Sequence, residues 1–301
     1  MTRRLRPQAS LASASRRLSS RRHVLTGIGV VALLPFISKL TRAQDASASA
    51  APAAAASSQL PLKTTGLEHM GTVVPDVEAA GKFYGRLFNP ELYKEKEPPL
   101  RYYVTLGVGY LALGSRANQP RAFFDHFCAL VQDYNGPAMA EELKSAGLPA
   151  GKFGIIPDPD GIGLQLLSVP GGLAKSTEPA GRIVAGDALV KPLGLQEVVL
   201  HVPDVDKALQ FYRKFFGQEA SRTHKPEAAW FQIAGTRLGI EVADAGEEPR
   251  VHRIGIKVEK FDRKKVSREL TKLGAKVEKG AAKDGLRFRD PLGLGIELLP
   301  A

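Results

Sequence analysis

The 301-residue sequence predicts an α+β protein of two tandem domains, each a pair of β-α-β-β-β units. Three observations carry this expectation. The segment from Val74 to Phe88 (VPDVEAAGKFYGRLF) returns at Val202 to Phe216 (VPDVDKALQFYRKFF) with eight of fifteen positions identical, so one domain is present twice. A second echo closes each copy, Asp158-Pro159-Asp160-Gly161-Ile162-Gly163-Leu164-Gln165 against Asp290-Pro291-Leu292-Gly293-Leu294-Gly295-Ile296-Glu297. Between the echoes, apolar runs of strand length alternate with segments whose apolar residues fall at helical spacing.

The chain opens on residues that do not belong to either copy. Ser20-Arg21-Arg22-His23-Val24-Leu25 leads into an apolar run ending at Ile37, followed by Lys39 and by Thr41-Arg42-Ala43 as a small-residue cleavage site. This pattern resembles a bacterial twin-arginine export signal over residues 1–43. The run, about 14 residues broken by Gly27, Gly29 and Pro35, is shorter than the roughly 20 needed to cross a bilayer. The resemblance implies passage through the twin-arginine translocase and a periplasmic location. Residues 44–63 are mostly Ala, Ser and Pro, cannot bury enough surface to offset ordering, and read as a disordered tether.

Charge and cysteine content narrow the function classes. The net charge of +11 suggests an anionic partner, but the first 43 residues hold eight Arg, one Lys and no acid. Without them 33 basic residues face 31 acidic ones, a balance of +2, and no nucleic-acid reading survives. Cys128 is the only cysteine, so no intramolecular disulfide forms even in an oxidising compartment.

The first domain spans 64–170 and the second 193–301; between them 171–192, with four Gly and two Pro, reads as a linker. Each domain begins with a β-branched strand, Leu67 to Val74 or Leu195 to Val202, stopped by Pro75 or Pro203, after which Asp76 or Asp204 can cap a helix. Ala80, Phe83, Tyr84 and Leu87 share one face of the first helix and Ala208, Phe211, Tyr212 and Phe215 one face of its counterpart, which marks them as core. Strands follow at 102–106 and 109–113, and at 230–233 and 238–242. Each domain then restarts, with strand 124–131 before helix 137–146 and strand 251–258 before helix 264–273.

A strand ending in Val-Pro-Asp, a Phe-Tyr helix, a strand opening with Asp125-His126, a helix closing at Ala146-Gly147 and the Asp158-Pro159-Asp160-Gly161 turn together resemble the vicinal oxygen chelate superfamily, which includes glyoxalase I, extradiol ring-cleaving dioxygenases and bleomycin-resistance proteins. The resemblance implies paired units curled into a half-open barrel with a divalent metal, such as Fe(II), Mn, Zn or Ni, in its mouth. It also implies a small-molecule substrate chelated through two adjacent oxygens by a dioxygenase or lyase, or a metal-free binding protein of the bleomycin-resistance type. The sequence permits a homodimer.

Carried over position by position, the resemblance implies a metal set of His69, His126 and Gln165, the last standing where the family has a carboxylate. Alternation puts His69, Gly71 and Val73 on one face of the first strand and His126, Cys128 and Leu130 on one face of the fifth, so both histidines can enter one cavity. Cys128, Tyr102 and Tyr103, with Arg101, are expected to line it. In the second domain Glu197 matches His69 and Glu297 matches Gln165, while either His252 or Arg253 matches His126. With His252 inward, Arg253 and Lys257 would be driven unpaired toward the helices, at several kcal/mol each. The favoured register therefore turns Arg253 inward to form an ion cluster with Glu197 and Glu297, a metal-free copy in which guanidinium replaces the cation. His201, His224 and Trp230 are read as packing or surface residues.

Overall fold

The computed structural model describes residues 58–149, 151 and 154–301; the export-signal reading of 1–43 and the tether residues 44–57 lie outside them. In the first domain, β1 (Thr64–Val73), α1 (Val77–Leu87), β2 (Glu91–Glu95), β3 (Arg101–Thr105) and β4 (Tyr110–Gly114) form one unit. The second unit is β5 (Phe123–Val131), α2 (Gly136–Ser145), β6 (Ile155–Pro157) and β7 (Gly163–Ser168), and β8 (Thr177–Arg182) follows. The second domain repeats the plan with β9 (Pro192–Val202), α3 (Val205–Phe216), β10 (Ser221–His224), β11 (Glu227–Ile233) and β12 (Thr236–Val242). Then come β13 (Arg250–Val258), α4 (Arg263–Lys272), β14 (Lys276–Glu278), β15 (Leu286–Arg289) and β16 (Gly295–Pro300).

Each domain is one eight-stranded mixed sheet, in the order β6-β7-β5-β1-β4-β3-β2-β8 or β10-β11-β12-β9-β13-β16-β15-β14. The opening strands of the two units pair antiparallel at the centre, β1 with β5 and β9 with β13, and each has a parallel neighbour on its other side. The helices start where a side chain supplies the missing acceptor: Asp76, Asn135, Asp204 and Asp262 each take the N–H three residues on. The apolar faces of α1 and α3 are buried, with Tyr84 and Tyr212 the largest enclosed side chains.

Those two tyrosines tie the domains together. Tyr84 of the first repeat donates to Asp290 Oδ2 at 2.8 Å, and Tyr212 of the second donates to Asp158 Oδ2 at 2.9 Å. The other oxygen of each aspartate closes its own turn, Asp158 Oδ1 on the N–H groups of Asp160 and Ile162, Asp290 Oδ1 on those of Leu292 and Leu294. The two sequence echoes are thus halves of one reciprocal contact.

Parts of the linker and of the tether join the fold. Within 171–192, β8 adds to the edge of β2, where Pro179 and Gly181 are tolerated, and Val190 is buried. At the end of the tether, Leu62 is buried and its N–H donates to Phe215 O at 2.7 Å.

Candidate metal centre

Two β-bulges build the centre. Along β1 and β5, Leu67 pairs with Ala129 and Met70 with Phe127, so Glu68 and His69 together oppose Cys128. A regular strand would send these neighbours to opposite faces; the extra residue turns both inward. His69 Nδ1 lies 2.8 Å from Glu68 Oε2, both groups buried. One step on, Gly71 pairs with His126 and Thr72 with Phe124, leaving Asp125 as the extra residue, and His126 Nδ1 lies 2.9 Å from Asp125 Oδ2. Each imidazole therefore gives its Nδ1–H to the acid that precedes it in sequence. That fixes the tautomer and leaves Nε2 as the binding atom, the arrangement typical of metal-ligating histidines.

Packing fixes the rings. His69 and His126 meet edge to face with centroids 5.5 Å apart, and Tyr110, the partner of His69 on β4, stacks on it at 4.4 Å. The His126 ring occupies the space a side chain at position 71 would need: a Cβ on Gly71 would lie 2.1 Å from His126 Cε1. On β7, opposite Cys128, Gln165 places Oε1 2.9 Å from His69 Nε2.

The donor set fits a divalent ion. Burial lowers the proton affinity of His69, against the opposing pull of the Glu68 hydrogen bond, and favours the neutral ring. With Nδ1–H on Glu68, His69 Nε2 and Gln165 Oε1 both aim lone pairs at one place. A cation satisfies two such lone pairs; a turned amide, donating to Nε2, satisfies them without one.

The surroundings form a cavity of about 850 Å³. Glu68 Oε1 accepts the N–H of Gly172, and Gly171, at φ +72°, leaves room for that carboxylate, so the residues after β7 fold over the buried acid and wall the cavity. Asp125 is held below its ordinary range, first by the His126 hydrogen bond and then by Arg116, whose Nη2 is 2.8 Å away. Tyr103 lines the cavity and donates to Glu95; burial first, then that bond, push its hydroxyl up to about 12. Burial also raises Tyr110.

Two expected cavity residues lie elsewhere. Tyr102 cannot share a face with Tyr103 on a regular strand, and its ring abuts Gly81 of α1. Cys128 is fully buried behind Glu68 and His69, and burial raises its thiol far above the ordinary value. Sequence reasoning missed Glu68 and Asp125, although a signal was present: both histidines are preceded by an acid.

In the second domain the ladders place Arg253 where His126 stands. His126 faces Gly71 and Gly163, and Arg253 faces Val199 and Gly295. A bulge at His252, between the pairs Val251–Leu200 and Arg253–Val199, lets both residues reach the same face, so the two registers were not exclusive. Arg253 lies 3.9 Å from Glu197 and 3.7 Å from Glu297, but its main partner is Glu241, gripped by two hydrogen bonds of 2.9 and 3.0 Å. Glu197 is held chiefly by Arg237 (2.7 Å) and Glu297 by Arg287 (2.9 Å), so three arginines share the role expected of one.

His201, expected as packing or surface, joins this network: its Nδ1 is 2.9 Å from Glu247 and its ring stacks on His252 at 3.5 Å. His201, Glu247 and His252 gather their ligand atoms within 4.8 Å. Burial first, then His201, Arg289, Arg253 and Arg250, drive His252 down to about 3, and the same positive field opposes a metal cation there. Trp230 lies under Arg237, and His224 is exposed.

Residues 197–299 match the family model of a glyoxalase-like domain. The match falls on the copy whose centre is closed by arginines. Among solved structures, the chain is similar to a catechol 2,3-dioxygenase (TM-score 0.59, 18% identity, covering 78% of this chain and 87% of that one). The 2,3-dioxygenase LapB from Pseudomonas sp. KL28 gives 0.61, 15%, 80% and 93%. The Mn(II)-bound glyoxalase from Novosphingobium aromaticivorans gives 0.54, 15%, 78% and 81%. At these identities the likeness is one of fold, two tandem domains of paired β-α-β-β-β units. No curated protein sequence matches the chain.

Proposed function

We propose that the protein is an exported vicinal oxygen chelate metalloenzyme. In this reading its first domain holds a divalent ion, Fe(II), Mn, Zn or Ni, through His69, His126 and Gln165, and it acts as a dioxygenase or lyase on a small substrate with two adjacent oxygens. The observation that carries the reading is the pair of acid-histidine dipeptides, Glu68-His69 and Asp125-His126, each turned inward by a bulge with Nε2 left to bind. When bound, the ion supplies Lewis acidity toward the substrate oxygens. Glu68 and Asp125 hold the Nδ1 protons, Tyr110 fixes the plane of His69 and, kept protonated by burial, serves as a hydrogen-bond donor rather than a base, while Tyr103 commits its O–H to Glu95.

The metal content of the full chain folded in its native host tests this reading. His69→Ala and His126→Ala are each expected to abolish stoichiometric metal, while His201→Ala and His252→Ala leave it. Oxygen uptake with catechol under ferrous loading marks a dioxygenase; turnover without oxygen marks a lyase. Retention of wild-type metal by the double variant His69→Ala/His126→Ala overturns the proposal. The amide at Gln165 favours a second reading, a metal-free small-molecule binding protein, which stands if the cavity binds ligand tightly in protein that never holds metal. Export is tested separately: replacing Arg21 and Arg22 by Lys should retain the protein in the cytoplasm, and the exported form should begin near Gln44.

A further inference from the structure

A recess of about 100 Å³ opens beside His126 and shares Arg101, Arg116, Ala112, Asp125 and His126 with the main cavity. Its volume equals about three waters. Arg101 faces Gly114 across the β3–β4 ladder, and because position 114 has no side chain the guanidinium lies over it: Nε would be 3.0 Å from a Cβ there. The glycine therefore lets a long cationic side chain lie flat along the wall. Arg116 also lines the recess, with Nη2 on Asp125.

The charge around the recess is one-sided. Arg101, Arg116 and Lys175 line the main cavity against the single carboxylate Asp125, already bonded to His126 and Arg116. Among the described residues Arg101 and Lys175 have no carboxylate partner.

We propose that this recess binds a carboxylate on the substrate, so that the protein selects acidic members of the class with two adjacent oxygens. Arg101 and Arg116 supply charge-assisted hydrogen bonds. The chelating oxygens then lie toward His69 and His126. The inference rests on the chelation reading above, and the experiment separates the two.

Calorimetric titration of the full chain, loaded with the divalent ion it holds, compares 3,4-dihydroxybenzoate with catechol, ligands that differ by one carboxylate. The acid is expected to bind about tenfold more tightly or better, the range of one hydrogen bond to a charged group. Arg101→Gln, on an exposed rim position, should remove most of that preference and leave catechol affinity unchanged. Equal affinity for both ligands in the wild type, or a preference that survives in Arg101→Gln, overturns the carboxylate assignment. If neither diol binds but benzoate still prefers the wild type to Arg101→Gln, the recess stands and chelation fails.

Discussion

The two domains carry the same pair of bulges at matching ladder positions and fill them differently. In the first, the bulged dipeptides are Glu68-His69 and Asp125-His126; in the second, Gln196-Glu197 and His252-Arg253. Where the first domain presents imidazoles and keeps its carboxylates hydrogen-bonded behind them, the second sets carboxylates and guanidinium at the matching positions. Gln165 and Glu297 complete the exchange at the closing strand. The backbone device, two adjacent residues turned to one face, is constant; what changes is whether the paired charges leave room for a cation. In the second domain that room is taken, because Glu241, Glu197 and Glu297 are already matched by Arg253, Arg237 and Arg287. A buried carboxylate needs a positive partner, and a guanidinium supplies it there as a metal would in the first.

The comparison is broken most directly at Arg253. Arg253→Ala leaves Glu241 without its two hydrogen bonds and removes a cation from between three carboxylates. A loss of about 3–5 kcal/mol in unfolding free energy is expected, as when a buried pair is broken; denaturant unfolding that matches wild type would show that Arg253 does not fill the cation's role. Next comes Glu68. If the acid behind His69 orients the ring, Glu68→Gln should lower metal affinity by about 10–100-fold with little change in fold, read by competition titration with a chelator. The reverse change in the second copy, Gln196→Glu, should create no metal site, since Glu197 rather than histidine follows it.

The fold was legible because the chain repeats: strand stops, caps and helix faces appear in both copies and agree. The bulges were not legible. A bulge shifts one residue without altering composition or periodicity beyond a single step, so strict alternation hid Glu68 and Asp125 and made His252 and Arg253 look like alternatives. The same alternation, applied to β3, would have excluded Tyr102 from the cavity once Tyr103 was placed there. At the edges, β8 escaped notice because TEPAGR carries a proline and a glycine, acceptable only on an outermost strand. The Tyr–Asp contacts were beyond reach for a different reason: they join residues 206 and 54 positions apart across two domains.

Those contacts sharpen the comparison on a smaller scale. Tyr84→Phe and Tyr212→Phe each take one donor from a buried carboxylate and should each destabilise by about 1–3 kcal/mol. Near-equal values would mark the contact as a symmetric clamp; a Tyr84→Phe effect confined to one of two unfolding transitions would show that the domains unfold independently.

A further difference appears with pH. His252 is driven down to about 3 in the folded state, whereas an unfolded histidine titrates near 6.5. Between those values the unfolded chain binds a proton that the folded one refuses, so stability present above about 6.5 declines as pH falls toward 3. His252→Asn should flatten that decline, and an unchanged slope would mean the ring is not held neutral by its burial and positive neighbours.

The smallest expected effect is at Gln165. Replacing it by Glu restores to the first domain the carboxylate that the second has at Glu297. If Glu68 already supplies the missing negative charge through His69, a second carboxylate adds little to a bound ion, and Gln165→Glu should tighten metal by no more than about tenfold. In metal-free protein the same change sets a carboxylate against His69 Nε2, where Gln165 Oε1 now lies 2.9 Å away, with Glu68 on the opposite side of the ring. Like charges flanking one imidazole favour its protonated form, so metal-free Gln165→Glu should bind an extra proton near neutral pH, visible in the imidazole resonances of His69. A hundredfold or larger gain in metal affinity would mean that Glu68 does not stand in for the missing ligand charge, and the two domains would then differ in charge as well as in its placement.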